Sequence, residues 1–214
     1  VIPFARLAAD GCPSHAALAL SLAAEFHAAD EAAADAVLAS LRAGLEPLRE
    51  APPLEQLAGA GELVGARIGA RVRPGRLEDL LLDRVLVTGA GDPVCWAIIC
   101  AHAADQAGIP LGIVADQDEH VLVAHREIEA PYVIEPMAPN RPIAADRLPA
   151  GDLSWRCSHQ VALMLLDRIV ARAQRAGRHG DAIRAAQLRL ELPLDEATIA
   201  LLRDDADGVA AKLN

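Results

Sequence analysis

Thr88-Gly89-Ala90-Gly91-Asp92-Pro93-Val94-Cys95-Trp96-Ala97-Ile98-Ile99-Cys100-Ala101 reads as a glycine-rich turn running into a capped helix. Asp92 can cap the free amides of a helix start. Pro93 fits the first helical position, because its missing N–H would have no intrahelical partner there. Cys95 then falls in the first turn, where unpaired backbone amides and the positive end of the helix dipole favour a thiolate. A thiol so placed is a candidate nucleophile. The plainer alternative is a small apolar residue packed at a helix start, since free cysteine is among the most buried residue types.

Working outward, the helix extends to about Ala107 and Gly108 ends it. Three Val/Ile-rich segments follow at 111–115, 120–126 and 131–135, separated by polar stretches at 116–119 and 127–130 that suit hairpins. A helix followed by a small antiparallel sheet predicts an α+β core. Upstream, the periodicity predicts helices over 14–27, 30–49, 54–72 and 77–85, with breaks at Pro52-Pro53 and Pro74-Gly75. Downstream, 136–152 reads as a loop carrying Pro139, Pro142 and Pro149. Helices are then predicted over 158–176, 182–192 and 196–202, with a turn over 177–181. The chain thus divides into a helical N-terminal region (1–87), a core (88–152) and a helical tail (153–214), packed as one unit.

Composition narrows the function. The 214 residues are 53% hydrophobic but only 2% aromatic. No run approaches the ~18 apolar residues of a membrane span, and residues 1–4 lack the layout of a signal peptide. A net charge of −10 argues against nucleic acid as a partner. The four cysteines (Cys12, Cys95, Cys100 and Cys157) show no paired short spacing, so neither a zinc site nor a disulfide framework is indicated. A cytoplasmic protein with no membrane association is expected. The sequence assigns no oligomeric state.

A nucleophilic Cys95 needs a base and a group to orient that base. His120 and Glu135 fit by strand geometry. A turn centred between Glu127 and Ile128 sets His120 beside Glu135, Leu122 opposite Val133 and Val121 opposite Ile134, so the apolar pairs match as well. Such pairing lets the carboxylate hold one ring nitrogen and present the other to sulfur. Taken singly, His120 is an ordinary polar strand-end residue and Glu135 a solvated one. His125 points to the opposite sheet face from His120, and His102 lies two turns along the Cys95 helix.

The stretch 91–137 resembles the transglutaminase-like superfamily of papain-fold cysteine enzymes. The resemblance rests on Gly91…Cys95-Trp96, Gly108-Ile109-Pro110, His120-Val121-Leu122-Val123 and Ile134-Glu135-Pro136. It extends to a bacterial branch with a helical N-terminal region and a tetratricopeptide-like tail, through Phe4-Ala5-Arg6-Leu7, residues 77–86 and residues 182–194. Two family motifs are altered: Gly-His-Phe stands here as Glu119-His120-Val121, and Asp-Pro as Glu135-Pro136. Members of this branch commonly carry serine at the position of Cys95. The resemblance implies a transglutaminase/papain-like core with Cys95 as nucleophile, His120 as base and Glu135 as orienting acid. The function it implies is acyl chemistry on amide or ester bonds, by hydrolysis or transfer, on a peptide or protein substrate and with no metal or organic cofactor. The alternative is a non-catalytic binding or regulatory protein with a vestigial site.

Overall fold

The computed structural model describes residues 2–11, 13–71, 76–129, 132–139, 141–148 and 153–211. Four helices lead in: α1 (Phe4–Ala8), α2 (His15–Ala24), α3 (Glu31–Leu45) and α4 (Pro53–Arg67). Ser14 caps α2 and Asp30 caps α3 through their side-chain oxygens, as short polar residues at helix starts do. A helix over 54–72 was expected, but α4 stops at Arg67. Ile68 is extended and fully buried, and Gly69–Ala70 (β1) pairs in parallel with Ala90–Gly91 (β2). The expected turn at Pro74-Gly75 lies outside the described residues, as do Cys12, Pro131 and Pro149. The single helix expected over 77–85 is split into a 3-10 turn at Leu77–Leu80 and α5 (Leu82–Thr88). Gly89, at φ 69°, ends α5 in the left-handed conformation that glycine adopts without cost.

Helix α6 (Pro93–Gln106) begins on Asp92, whose Oδ1 accepts from the Val94 amide at 3.1 Å. It feeds strands β3 (Leu111–Ala115), β4 (Val121–His125) and β5 (Tyr132–Ile134). Short strands β6 (Ile143–Ala144) and β7 (Ser154–Trp155) complete an antiparallel sheet of order β6-β5-β4-β3-β7, so part of the expected 136–152 loop is paired at the sheet edge. The tail is α7 (Ser158–Arg175), α8 (His179–Arg189) and α9 (Glu196–Ala211). Helix α8 starts inside the expected turn, and α9 runs well past the expected end at 202. The chain is an α+β protein.

The two sheet faces bury different sets. Ile113, Ala115, Val121, Val123 and Ile134 join the main core, which runs from Phe4 in α1 to Val209 in α9 and includes every inward residue of α6. Val114, Leu122, Ala124 and Val133 form a second, smaller cluster under Ile143, Leu148 and Leu153. Strand alternation produces this division, and it also fixes the side on which every strand residue near the site must lie.

Candidate functional site

Cys95 stands where the sequence places it, in the first turn of α6, and its surroundings are closed. The side chain is fully buried. Burial pushes its thiol well above the ordinary value, and the Asp92 carboxylate pushes the same way. Arg172 and Arg168 pull in the opposite direction without overcoming the first two. The helix start favours a thiolate only where the site is wet enough to hold the charge, and here desolvation wins.

The closure is built from a carboxylate and two guanidinium groups. Asp92 is fully buried and Arg172 nearly so. One Nη of Arg172 donates to Asp92 Oδ2, and Arg168 donates to Asp92 Oδ1 at 2.8 Å. The other Nη of each arginine caps a loop carbonyl: Arg172 that of Arg76 at 3.2 Å, and Arg168 that of Glu119 at 3.2 Å. Glu119 itself is a non-glycine residue at φ 59°. Both arginines come from α7, four residues apart and so on one helix face. The helix start that a thiol nucleophile would use is occupied by Asp92 and roofed by the C-terminal tail. Sequence reading gave Asp92 its capping role. The two arginines that complete the cluster lie about 80 residues downstream and carry no local signal.

The expected pairing of His120 with Glu135 is corrected. The β4–β5 register pairs Val123 with Ile134 and Ala124 with Val133, two residues away from the expected match. A two-residue slip keeps every apolar side chain on its own face, so hydrophobic pattern alone does not separate the two registers. Glu135 is exposed just beyond the end of β5. Among the described residues no hydrogen bond joins it to His120, or His120 to the Cys95 sulfur. The alternation that buries Leu122 and Ala124 in the second cluster also puts His120 on that face, whereas α6 packs on the other.

His120 has a carboxylate partner nonetheless. Asp116 Oδ2 lies 2.9 Å from His120 Nδ1, and Asp116 Oδ1 accepts from the amides of Asp118 and His120, each at 2.9 Å. Burial alone would raise the Asp116 carboxyl, but these hydrogen bonds outweigh it and hold the group below its usual value. Asp116 thus organises the β3–β4 hairpin and orients an imidazole that is 73% exposed. Its contribution to stability is present above about pH 3.9 and is lost as pH falls below that value.

His125 lies on the helix-facing side and is buried. Its Nδ1 accepts from the Glu127 amide at 3.1 Å, which leaves the Nε2 hydrogen to be donated to Gln56 Oε1 at 2.7 Å. Gln56 in turn donates to the Arg49 carbonyl at 2.6 Å. Burial holds His125 below the ordinary histidine value, as it does His15 and His102. The unfolded chain therefore takes up these protons first as pH falls. Stability is expected to drop from about pH 6.5 downward, and urea titrations between pH 7.5 and 5 would show it. A His125→Gln variant should flatten that slope.

Of the remaining thiols, Cys100 is buried and pushed up to about 12, while Cys157 is exposed at the start of α7. Trp96 is fully buried core. No group of three or more His, Cys, Asp or Glu side chains among the described residues is placed to hold a metal ion. Among those residues no helix is long and apolar enough to cross a membrane.

No family model matches this chain, and no curated protein matches it. Among solved structures it is similar to menin, in a crystal structure that reveals the binding site for the Mixed Lineage Leukemia (MLL) protein. The match has a TM-score of 0.55 at 15% sequence identity and covers 88% of this chain. The chain spans about half the length of that protein, 49% of which is covered. At this identity the likeness is one of fold.

Proposed function

We propose that this chain is a non-catalytic protein-binding or regulatory module. In this reading a reduced transglutaminase/papain-like core (88–152) sits between the helical region (1–87) and a tetratricopeptide-like tail (153–214). The observation that carries the reading is the sealed start of α6, where Cys95 lies dry beneath Asp92, Arg168 and Arg172. A nucleophile needs access and an accessible thiolate, and both are opposed here. The fold likeness to menin, whose solved structure displays a protein-binding site, supports a protein as the partner class.

The test is thiol reactivity in the folded chain, with Cys12→Ser in the background so that three thiols are read. Iodoacetamide at pH 6–8 is expected to modify Cys157 and to leave Cys95 and Cys100 intact until urea unfolds the protein. Alkylation of Cys95 at pH 6 faster than Cys157, abolished by His120→Ala, would overturn the reading.

Acyl chemistry by Cys95 remains the second reading, and one observation favours it. The Asp116–His120 pair holds Nδ1 and leaves Nε2 open, which is how a catalytic imidazole is presented. That reading replaces Glu135 by Asp116 as the orienting acid. It also requires the arginines of α7 to leave Asp92, and His120 to cross from the sheet face opposite α6.

A further inference from the structure

The far end of α6 carries a second cluster of charged and titratable groups, about 10–15 Å along the helix axis from Cys95. A cavity of about 280 Å³ is lined by His15 at the start of α2, by His102 and Asp105 of α6, and by Arg126 just past β4. Arg126 is held in place. Its guanidinium carbon lies 4.9 Å from the centroid of the Trp155 ring, which is itself half-exposed. Both groups rest on Gly112, the second residue of β3. A Cβ there would stand 2.7 Å from the Trp155 ring and 2.9 Å from an Arg126 nitrogen. Glycine weakens a strand interior and marks a close approach, and here it leaves room for the stacked pair.

The charges facing this cavity are unspent. Among the described residues the Arg126 guanidinium makes no hydrogen bond or ion pair, and neither does the Asp105 carboxylate. The two share one cavity without reaching each other. His15 engages the Arg156 carbonyl through Nε2 at 3.2 Å, which leaves Nδ1 as an acceptor. With both imidazoles neutral at pH 7, the cavity holds one positive and one negative group. A simple anion would meet Asp105 and the chain's net charge of −10; a ligand carrying both charges satisfies both walls.

The geometry points to a binding site for a small zwitterion of amino-acid or dipeptide size, its carboxylate on Arg126 and its ammonium group on Asp105. His15 and His102 supply neutral hydrogen-bonding edges, and the Trp155-stacked guanidinium is preorganised for a planar carboxylate. The site is independent of Cys95 and of the function proposed above.

Isothermal titration calorimetry of the full chain at pH 7.5 tests this with free α-amino acids and dipeptides such as glycylglycine, beside their N-acetyl and C-terminal amide derivatives. At least one zwitterion is expected to bind, with affinity falling at least about tenfold when either of its charges is blocked. Arg126→Gln and Asp105→Asn should each cost at least about tenfold as well. Both side chains are exposed, so thermal unfolding midpoints of the variants should match the parent. Gly112→Ala, which displaces the stacked pair, should weaken binding through Arg126 alone. Equal binding of the N-acetyl form, unchanged affinity in either charge variant, or no zwitterion bound at concentrations on the order of 10 mM would each overturn the proposal.

Discussion

Arg172→Gln is expected to lower the free energy of unfolding by about 3–5 kcal/mol, the usual cost of removing one partner from a buried ion pair. Asp92 is fully buried, and Arg172 supplies its Oδ2 contact. Without that guanidinium a carboxylate remains in the core with Arg168 and the Val94 amide, both on its other oxygen, to offset it. Arg168 is partly solvated and biases the loss toward the lower end of the range. The urea midpoint should fall with an unchanged slope, since the surface exposed on unfolding is the same. A double variant, Asp92→Asn with Arg172→Met, should recover much of the loss. Asparagine still caps α6, and the charge that needed a partner is gone. A loss below about 1 kcal/mol for Arg172→Gln would mean that water reaches Asp92 and that the site is open. Cys95 alkylation in the same variant provides the independent readout.

Gly61→Ala should destabilise by roughly 1–3 kcal/mol, against the sign that helix propensity gives. Gly61 sits within α4, where alanine is favoured over glycine by about 1 kcal/mol. A Cβ at this position would lie 2.0 Å from the Pro139 carbonyl oxygen and 2.8 Å from Ile134 Cδ1. The first contact is with backbone, which does not rotate aside, so α4 or the chain after β5 would have to shift. Gly208 in α9 is the control. It is exposed, nothing lies within 4 Å of its would-be Cβ, and Gly208→Ala should gain about 0.5–1 kcal/mol. Opposite signs for the two substitutions in urea unfolding are the expected result. A stabilising Gly61→Ala would show that the segment after β5 is not seated on α4.

The parts of this molecule that local chemistry specifies were readable from sequence. Asp92 and Pro93 announced α6, Gly108 marked its end, and the runs of Val and Ile located β3 to β5 within a residue or two. What failed depended on partners distant in the chain. Register across the β4–β5 turn was off by two residues because alternation has period 2, so a double slip leaves the pattern intact. Cys95 looked reactive because only its own helix start was in view, while the arginines that seal it arrive from α7. Asp116 was read only as part of a polar hairpin stretch, four residues from the imidazole it holds. A short acidic residue before a tight hairpin, with a histidine after it, was the signal that would have found that pair.

The clasp of α7 on Asp92 also sets a clock on synthesis. The partners are 80 residues apart, and a ribosome adding about 5–20 residues each second needs roughly 4–16 s to deliver Arg172 after Asp92. Strand β7, which closes one edge of the sheet beside β3, arrives almost as late. Throughout that interval the nascent chain holds a helix whose capping carboxylate lacks its counter-ions and a sheet whose edge is unpaired. Such a half-finished core is the kind of species that chaperones bind and proteases find, so chains halted before Arg172 should be cleared rather than accumulate.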